Sequence, residues 1–338
     1  MSSSTFSKDK IYGIISFMNF WSKLKKPIMA LAPMAGVTDS AFRQLCREYG
    51  ADVVYTEMVS ADGLFYDSKK TLEFLKFNKS EKPVVIQLFG KHPEKFTKAA
   101  QLAEAAGFDG IDINFGCPAK KVAGHGGGVT LMRDLQKCRE IIEAVLAGTK
   151  LPVSVKLRGS IKNGNTTVTT LDFIKAIKDL PVATIMIHGR PYENPFNSEI
   201  DYEMIKKAGA EFIKNNPKGI VLANGGITCP EEAKTMLELT GAHGLGVARG
   251  VYGRPWISQQ IKDHLKTGKY REFTHQQIKQ AIISHAQAVF KAKDKHGLIE
   301  LRKHLLWYVK GWPNAKELRS QLVAVESLSD IKTVCKNI

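Results

Sequence analysis

The chain has 338 residues, of which 43% are hydrophobic and 24% are charged, and its formal net charge is +16 at pH 7. This composition is ordinary for a folded globular protein and excludes a disordered chain or a collagen-like repeat. The five cysteines form no Cys-x-x-Cys pair, so we expect reduced thiols, a cytoplasmic location and no metal site.

Residues 1–26 precede the first repeating pattern, and we predict that they form an N-terminal extension, with Met18 as an alternative start. The apolar run from Ile11 to Trp21 follows two lysines, as the core of a secretory signal would, but no small-residue cleavage site comes after it. The run is also shorter than the roughly 20 apolar residues of a membrane-spanning helix. We therefore expect no association with a membrane.

From residue 27 to residue 257, short apolar runs alternate with segments of helical spacing. The runs are Ile28–Pro33, Val53–Glu57, Val84–Phe89, Gly110–Phe115, Val153–Leu157, Thr184–His188, Ile220–Asn224 and Gly244–Ala248. Such runs, bounded by Gly, Pro or Asn, are typical of strands buried on both faces. About eight strand–helix repeats predict an α/β fold of the (β/α)8 TIM-barrel type. A doubly wound open sheet is the alternative, although it usually has fewer repeats.

Residues 258–338 contain no strand-like run, and their apolar residues have helical spacing, which predicts a small C-terminal helical domain. From residue 256 onward the chain carries 15 Lys and Arg against 7 Asp and Glu. Clustered positive charge favours a polyanionic partner such as a nucleic acid or an anionic membrane. The alternative is a solvated, lysine-rich surface with no such partner.

Polar side chains and glycines follow the predicted strands where each strand ends, which is where the active site of a TIM barrel lies. Burying such groups without partners is costly, so their concentration indicates a functional site. The set comprises Pro33, Met34, Ala35, Glu57, Gln87, Asn114, Cys117, Lys156, His188, Arg190, Asn224, Gly225, Gly226, Ala248 and Arg249.

Two parts of this set suggest particular chemistry. Asn224-Gly225-Gly226 and Ala248-Arg249-Gly250 follow the seventh and eighth runs, where the phosphate site of this fold is usually formed. Cys117 follows the fourth run in a Gly-Cys-Pro turn, and a thiol at such a position is either reactive or an inert core residue. Lys156 suits a Schiff base or a contact with an electron-rich ring or a phosphate.

Several segments together resemble the tRNA-dihydrouridine synthases. They are Leu31-Ala32-Pro33-Met34-Ala35-Gly36-Val37-Thr38-Asp39, Thr56-Glu57-Met58-Val59-Ser60-Ala61, Asn114-Phe115-Gly116-Cys117-Pro118 with Lys121-Val122, and Arg249-Gly250 with Gly253-x-Pro255-Trp256-Ile257. The C-terminal segment Arg302-Lys303-His304 through Trp307-Tyr308-x-Lys310-Gly311 is similar to the bacterial B-type subfamily. The Asn-x-Gly-Cys-Pro segment is the most specific of these motifs.

The resemblance implies an FMN-dependent enzyme that reduces uridine to 5,6-dihydrouridine in the D-loop of tRNA, with NADPH or NADH as electron donor. It implies that residues 27–257 bind FMN and that residues 258–338 bind tRNA. We also expect a monomer. FMN would contact Pro33, Met34, Ala35, Gln87, Lys156, His188, Asn224, Gly225, Gly226, Ala248 and Arg249. Glu57, Asn114, Lys121 and Arg190 would contact the substrate. Reduced flavin would deliver hydride to carbon 6 of the uracil, and Cys117 would protonate carbon 5.

The chain departs from the family pattern in places. Gly226 stands where an acidic residue is usual, Gly124–Gly128 is richer in glycine than usual, and Arg158-Gly159-Ser160 shifts a glycine by one position. Two alternatives remain at this stage. A flavin oxidoreductase of the dihydroorotate dehydrogenase type would share the barrel but would not need a basic helical domain. A non-catalytic RNA-binding protein would not need Gln87, Cys117, Lys156 and His188 together.

Overall fold

The computed structural model describes residues 19–124 and 126–336, so residues 1–18 of the predicted extension lie outside the described part. The strands are β1 Ile28–Leu31, β2 Val53–Ser60, β3 Val84–Phe89, β4 Gly110–Phe115, β5 Val153–Arg158, β6 Ser160–Asn163, β7 Thr166–Thr169, β8 Thr184–His188, β9 Ile220–Asn224 and β10 Gly244–Val247. Eight of them close into a parallel barrel in the order β1-β10-β9-β8-β5-β4-β3-β2, which confirms the predicted fold.

Helices follow most of the barrel strands. They are α1 Ser40–Glu48, α2 Ala61–Phe65, α3 Lys69–Leu72, α4 Pro93–Ala105, α5 Lys120–Ala123, α6 Leu135–Gly148, α7 Thr170–Ala176, α8 Tyr202–Asn215, α9 Pro230–Thr240, α10 Ile257–Thr267, α11 His275–Tyr308, α12 Ala315–Leu322 and α13 Leu328–Lys336. No helix within residues 19–124 or 126–336 is long and apolar enough to cross a membrane.

Alternate residues of each barrel strand point to opposite faces, and both faces are buried. One set packs against the outer helices, while the other, including Ala30, Tyr55 and Met186, fills the barrel interior. Trp21, only 1% exposed, belongs to the interior cluster and lies 6.4 Å from Tyr55 between ring centroids. Residues 19–26 therefore supply part of the barrel's core.

The C-terminal helices pack as a second cluster beside the barrel. Helix α11 is kinked at Asp294, where φ is 52° and ψ is −149°, and its buried face packs on α12 and α13. Helix α10 differs, because Ile257 and Ile261 are buried in the barrel's outer core. Helix α10 thus spans the predicted domain boundary between residues 257 and 258. The ring of Tyr252 stacks on Trp307 of α11 at 3.9 Å, and both rings pack against the barrel's outer core.

An antiparallel hairpin of β6 and β7 follows β5 and was not predicted. Its strands are mostly polar and, apart from Ile161, none of their residues is buried, so they lack the apolar pattern that marks the barrel strands. The turn contains Gly164 at φ 59°, a left-handed conformation that glycine adopts without strain. Asn163 donates a hydrogen bond to the carbonyl of Arg133, which ties the hairpin to the segment before α6.

Candidate active site

Three neighbouring strands bring a buried group of polar side chains together below the barrel mouth. Asp112 of β4 lies opposite Gln87 of β3 and Ser154 of β5 in the strand register. Gln87 Nε2 and Ser154 Oγ donate to the two carboxylate oxygens of Asp112, each at 2.6 Å. Asn114, two residues beyond Asp112, donates from Nδ2 to Gln87 Oε1 at 3.0 Å. Burial raises the pKa of Asp112 to about 6, against the hydrogen bonds from Gln87 and Ser154.

The turn that carries Cys117 is held from two directions. Asn114 Oδ1 accepts hydrogen bonds from the backbone N–H groups of Gly116 and Cys117, at 3.1 and 2.9 Å. Arg158 Nε donates to the carbonyl oxygen of Gly116 at 3.1 Å. The Cys117 side chain is partly buried, and this burial raises the pKa of its thiol. At neutral pH the group is therefore a protonated thiol that can donate a proton.

A lysine and a histidine lie on the neighbouring strands at the same end of the barrel. Lys156 Nζ donates to Asn224 Oδ1 at 3.0 Å, and Asn224 Nδ2 donates to the carbonyl of Gly246 at 2.5 Å. Burial and the charge of nearby Arg158 together lower the pKa of Lys156 to about 8. Burial together with these cations lowers the pKa of His188 to about 2. His188 is therefore a neutral imidazole at pH 7.

Three arginines lie near His188. Arg158, Arg190 and Arg249 all lower the pKa of His188 by their charge, and within residues 19–124 and 126–336 none of them pairs with a carboxylate. Burial and the charges of Arg190 and Arg249 together lower the pKa of Arg158 to about 10. Arg190 Nη1 is buried and has no hydrogen-bond partner among these residues. Such a cluster is complementary to an anion.

A cavity of about 650 Å³ opens beside the arginines, between the barrel mouth and the C-terminal helices. Its lining includes all the predicted phosphate-binding residues: Asn224, Gly225, Gly226, Ala248 and Arg249. The backbone φ angles of Gly225 and Gly226 are 113° and 71°, which other residues rarely adopt. Glycines in these conformations would let the backbone after β9 approach an anion closely, and binding of a phosphate by this loop stays a prediction.

The loop after β1 lies at another part of the mouth. In the segment Pro33, Met34 and Ala35, the N–H of Met34 donates a hydrogen bond to Thr38 Oγ1 at 3.2 Å. The next residue, Gly36, donates its N–H to the Glu57 carboxylate, and burial raises the pKa of Glu57. Glu57 lines a second cavity, of about 540 Å³, against helix α11.

The residues predicted to contact substrate therefore lie in different parts of the structure. Asn114 is 4% exposed and holds the turn of Cys117, whereas Glu57 faces the second cavity. Arg190 lies beside the loop after β9, with Nη2 at 3.8 Å from the position of a Cβ on Gly226. Lys121 belongs to helix α5, and its side chain lies outside the described part of the structure.

Sequence reasoning did not single out Asp112, Ser154 or Arg158 as site residues. Asp112 had a recognisable signal, because it is a charged residue in the middle of an apolar strand. Ser154 had no such signal, since serine is common in strands and loops alike. No group of three or more His, Cys, Asp or Glu side chains that could hold a metal occurs in residues 19–124 or 126–336.

The sequence resembles one protein family over nearly its whole length. The family model for dihydrouridine synthase (Dus) matches residues 30–338. The chain is 35% identical over 312 residues to tRNA-dihydrouridine synthase B of Pseudomonas putida, an alignment that covers 92% of this chain and 90% of that protein. It is 34% identical over 312 residues to tRNA-dihydrouridine synthase B of Pseudomonas aeruginosa, with 92% and 91% covered.

Solved structures resemble the chain in fold only. Histamine dehydrogenase from Rhizobium sp. 4-9 superposes with a TM-score of 0.53 at 14% identity, covering 77% of this chain and 48% of that one. The 6-hydroxypseudooxynicotine amine oxidase of Pseudomonas geniculata N1 also has a TM-score of 0.53, at 15% identity, with 78% and 51% covered. This chain thus spans about half the length of these two structures.

Proposed function

Because the chain belongs to the dihydrouridine synthase family, we propose that it reduces uridine to 5,6-dihydrouridine in the D-loop of tRNA. The proposed cofactor is FMN, and the proposed electron donor is NADPH or NADH. The observation that carries the proposal is the arrangement at the barrel mouth. There, a protonated thiol on a fixed turn lies close enough to Lys156 and Arg158 for their charges to act on it.

The described residues fit a flavin mononucleotide. The phosphate would lie against the N–H groups of Gly225 and Gly226, with Arg249 supplying charge and Arg190 Nη1 supplying a donor that has no partner among the described residues. The ring would lie near the Pro33–Ala35 backbone and the side chains of Gln87, Lys156 and His188. When bound, the flavin would supply the hydride that carbon 6 of the uracil accepts.

In this proposal Cys117 protonates carbon 5 of the uracil. The raised pKa of its thiol keeps the proton on sulfur until the base arrives, which a proton donor requires. Asn114 and Arg158 hold the turn from opposite ends and so limit the positions that the thiol can take. The target base would have to leave its stack to reach this depth, as bases do in other enzymes that modify them.

The C-terminal helices are the proposed tRNA-binding surface, since they carry about half of the chain's excess positive charge. The C-terminal aromatic residues serve packing here. Tyr308 is buried, Trp307 stacks on Tyr252, and Trp312 stacks on His275 at 4.1 Å. The lysines of these helices are therefore better candidates for contacts with phosphate. We also propose a cytoplasmic monomer.

A two-step assay tests the proposed function. The purified protein should carry one FMN, and anaerobic mixing with NADPH or NADH should bleach the flavin absorbance, with the faster donor being the natural one. Adding tRNA from a strain that lacks dihydrouridine synthases should then restore the absorbance and leave dihydrouridine at D-loop positions. A protein that takes up no FMN, or a reduced flavin that tRNA does not reoxidise, would overturn the proposal. Reoxidation by free orotate instead of tRNA would favour the dihydroorotate dehydrogenase alternative.

A further inference from the structure

The buried polar groups below the barrel mouth form one continuous hydrogen-bonded chain. It begins at the Asp112 carboxylate, passes through the side-chain amides of Gln87 and Asn114, and ends at the backbone N–H of Cys117. The successive distances are 2.6, 3.0 and 2.9 Å. Asp112 is 0% exposed, Gln87 1% and Asn114 4%, so water does not compete for these bonds.

Both ends of this chain impose the same orientation on its two amides. An ionised carboxylate only accepts hydrogen bonds, so Asp112 requires the NH2 group of Gln87 on its side. The carbonyl oxygen of Gln87 then faces the NH2 group of Asn114. This leaves the carbonyl oxygen of Asn114 for the backbone N–H groups of Gly116 and Cys117, which only donate. Turning either amide over would set donor against donor in a buried site.

We infer that Asp112 is a positioning residue, which anchors the Gln87 and Asn114 amides in one orientation and thereby holds the turn that presents the Cys117 thiol. Asp112 acts through these amides and does not itself contact the reacting base. A buried carboxylate is costly, and the need for an acceptor at this point accounts for its presence inside the barrel.

The consequence for the reaction rests on the proposed function. If Cys117 protonates the uracil, a displacement of its turn by about 1 Å is expected to slow that step by roughly 100-fold. The geometry of the hydrogen bonds from Asp112 to Cys117 does not depend on the substrate. Its effect on Cys117 is therefore measurable in the FMN-loaded enzyme without tRNA, through the rate at which iodoacetamide alkylates this thiol.

Three variants at position 112 test the inference. Asp112→Leu removes the acceptor and keeps the branched side-chain shape, with larger methyl groups in place of the two carboxylate oxygens. Asp112→Asn keeps an acceptor, because the Ser154 hydroxyl can turn to accept from the new NH2 group and donate to the Ile111 carbonyl, already 3.3 Å away. Asp112→Ser has a hydroxyl too short to reach Gln87, and it substitutes for the Leu variant if that protein does not fold.

The control is Thr184→Val. Thr184 lies beside Ser154 in the register of β5 and β8, is 0% exposed, and has a hydroxyl without a hydrogen-bond partner among the described residues. This variant tests the effect of altering a buried polar residue that lies next to the hydrogen-bonded groups but makes none of their hydrogen bonds. Peptide mass spectrometry assigns alkylation to Cys117 and separates it from the other four cysteines.

We expect Asp112→Leu, or Asp112→Ser, to change the alkylation rate of Cys117 at least 5-fold and to slow flavin reoxidation by tRNA roughly 100-fold. Asp112→Asn and Thr184→Val should stay within about 3-fold of the unaltered enzyme in both assays. An unchanged alkylation rate in Asp112→Leu or Asp112→Ser would overturn the inference. Equal losses in Asp112→Asn and Asp112→Leu would also overturn it, since the charge beside Lys156 would then matter and not the acceptor. If tRNA fails to reoxidise the unaltered enzyme, the proposed function fails, while alkylation still decides the role of Asp112.

Discussion

At the scale of single residues, the environment of Cys117 distinguishes a proton donor from a nucleophile. Reactive nucleophilic cysteines usually have a lowered pKa, whereas burial raises the pKa of this thiol despite nearby Lys156 and Arg158. A thiol that stays protonated at neutral pH does not attack the substrate as a thiolate. It is suited to transferring its proton to carbon 5 while hydride reaches carbon 6.

Cys117→Ala should separate the two half-reactions. We expect FMN binding and flavin reduction by NADPH to remain nearly intact, because in the proposed mechanism the thiol takes part only after the base has bound. Reoxidation by tRNA should slow by roughly 10²–10⁴-fold, the usual contribution of a general acid. Rapid mixing measures both steps, and Cys229→Ser, at the other partly exposed cysteine, is the control. An unchanged reoxidation rate would remove Cys117 from the mechanism.

Asp112 should make folding stability depend on pH. Its pKa rises from 3.8 in the unfolded chain to about 6 in the folded protein, so between these values the folded state binds more protons. Stability attributable to this group is present below pH 4 and is lost as the pH rises through 6. Asp112→Asn removes this loss, so the variant should gain up to about 3 kcal/mol over the unaltered protein between pH 4 and pH 7. Denaturant unfolding of both proteins at several pH values measures the difference, and parallel curves would contradict the expectation.

At the scale of elements, the loop after β9 depends on glycine for both its conformation and its space. Gly225 has a φ of 113°, and a Cβ there would lie 2.8 Å from Ile200 Cδ1 and 3.2 Å from His188 Nε2. The substitution of Gly225 would therefore strain the loop and also push His188 out of place. Both effects fall on the residues proposed to hold FMN.

Gly225→Ala should weaken FMN binding and lower stability by about 1–3 kcal/mol. Gly164→Ala is the matched control, because Gly164 also has a left-handed φ of 59° but no atom within 4 Å of a Cβ. We expect the control to lose some stability from backbone strain and to bind FMN normally. Fluorescence titration of the flavin-free proteins with FMN measures the affinities. Equal FMN affinities in the two variants would show that the loop after β9 does not hold the cofactor.

At the scale of the whole molecule, a C-terminal lysine reaches the barrel mouth. Lys303 of helix α11 lines the second cavity, and its Nζ lies 3.3 Å from the position of a Cβ on Gly36. Lys303 forms no ion pair with the residues of 19–124 and 126–336. Its charge is thus available to a phosphate of bound tRNA, between the barrel and the C-terminal helices.

Binding of tRNA should weaken as salt increases, and Lys303→Ala should reduce that dependence. Each phosphate neutralised contributes roughly −0.9 to the slope of log K against log salt on duplex regions, so the variant should lose about one such unit. Lys207→Ala is the control, since Lys207 lies on barrel helix α8 and pairs with Glu203 at 3.4 Å. Fluorescence anisotropy with labelled tRNA measures the slopes. An affinity indifferent to salt would contradict a charge-based tRNA surface.

The barrel was accessible from the sequence, and so was the expectation that a functional site lies at the strand ends. Strands such as Gly110–Phe115 are buried on both faces and therefore appear as apolar runs, while their polar ends stand out against those runs. The hairpin Ser160–Thr169 was not accessible, because polar exposed strands lack this contrast. The barrel strands have a distinct apolar pattern in the local sequence, whereas the hairpin strands do not. Local patterns therefore predict the barrel well and the hairpin poorly.

The sequence by itself determined the barrel, the family and the set of residues at the strand ends. Only the tertiary structure decided where each residue of that set lies and what it contacts. Glu57 faces one cavity, Arg190 lies beside the other, and Asn114 is used to hold the turn of Cys117. The anchoring role of Asp112 likewise required the register of three strands, because Gln87 and Asp112 are 25 residues apart. Burial, and hence the pKa of the carboxyl and the thiol, follows from packing between distant segments, which no local pattern in the chain records.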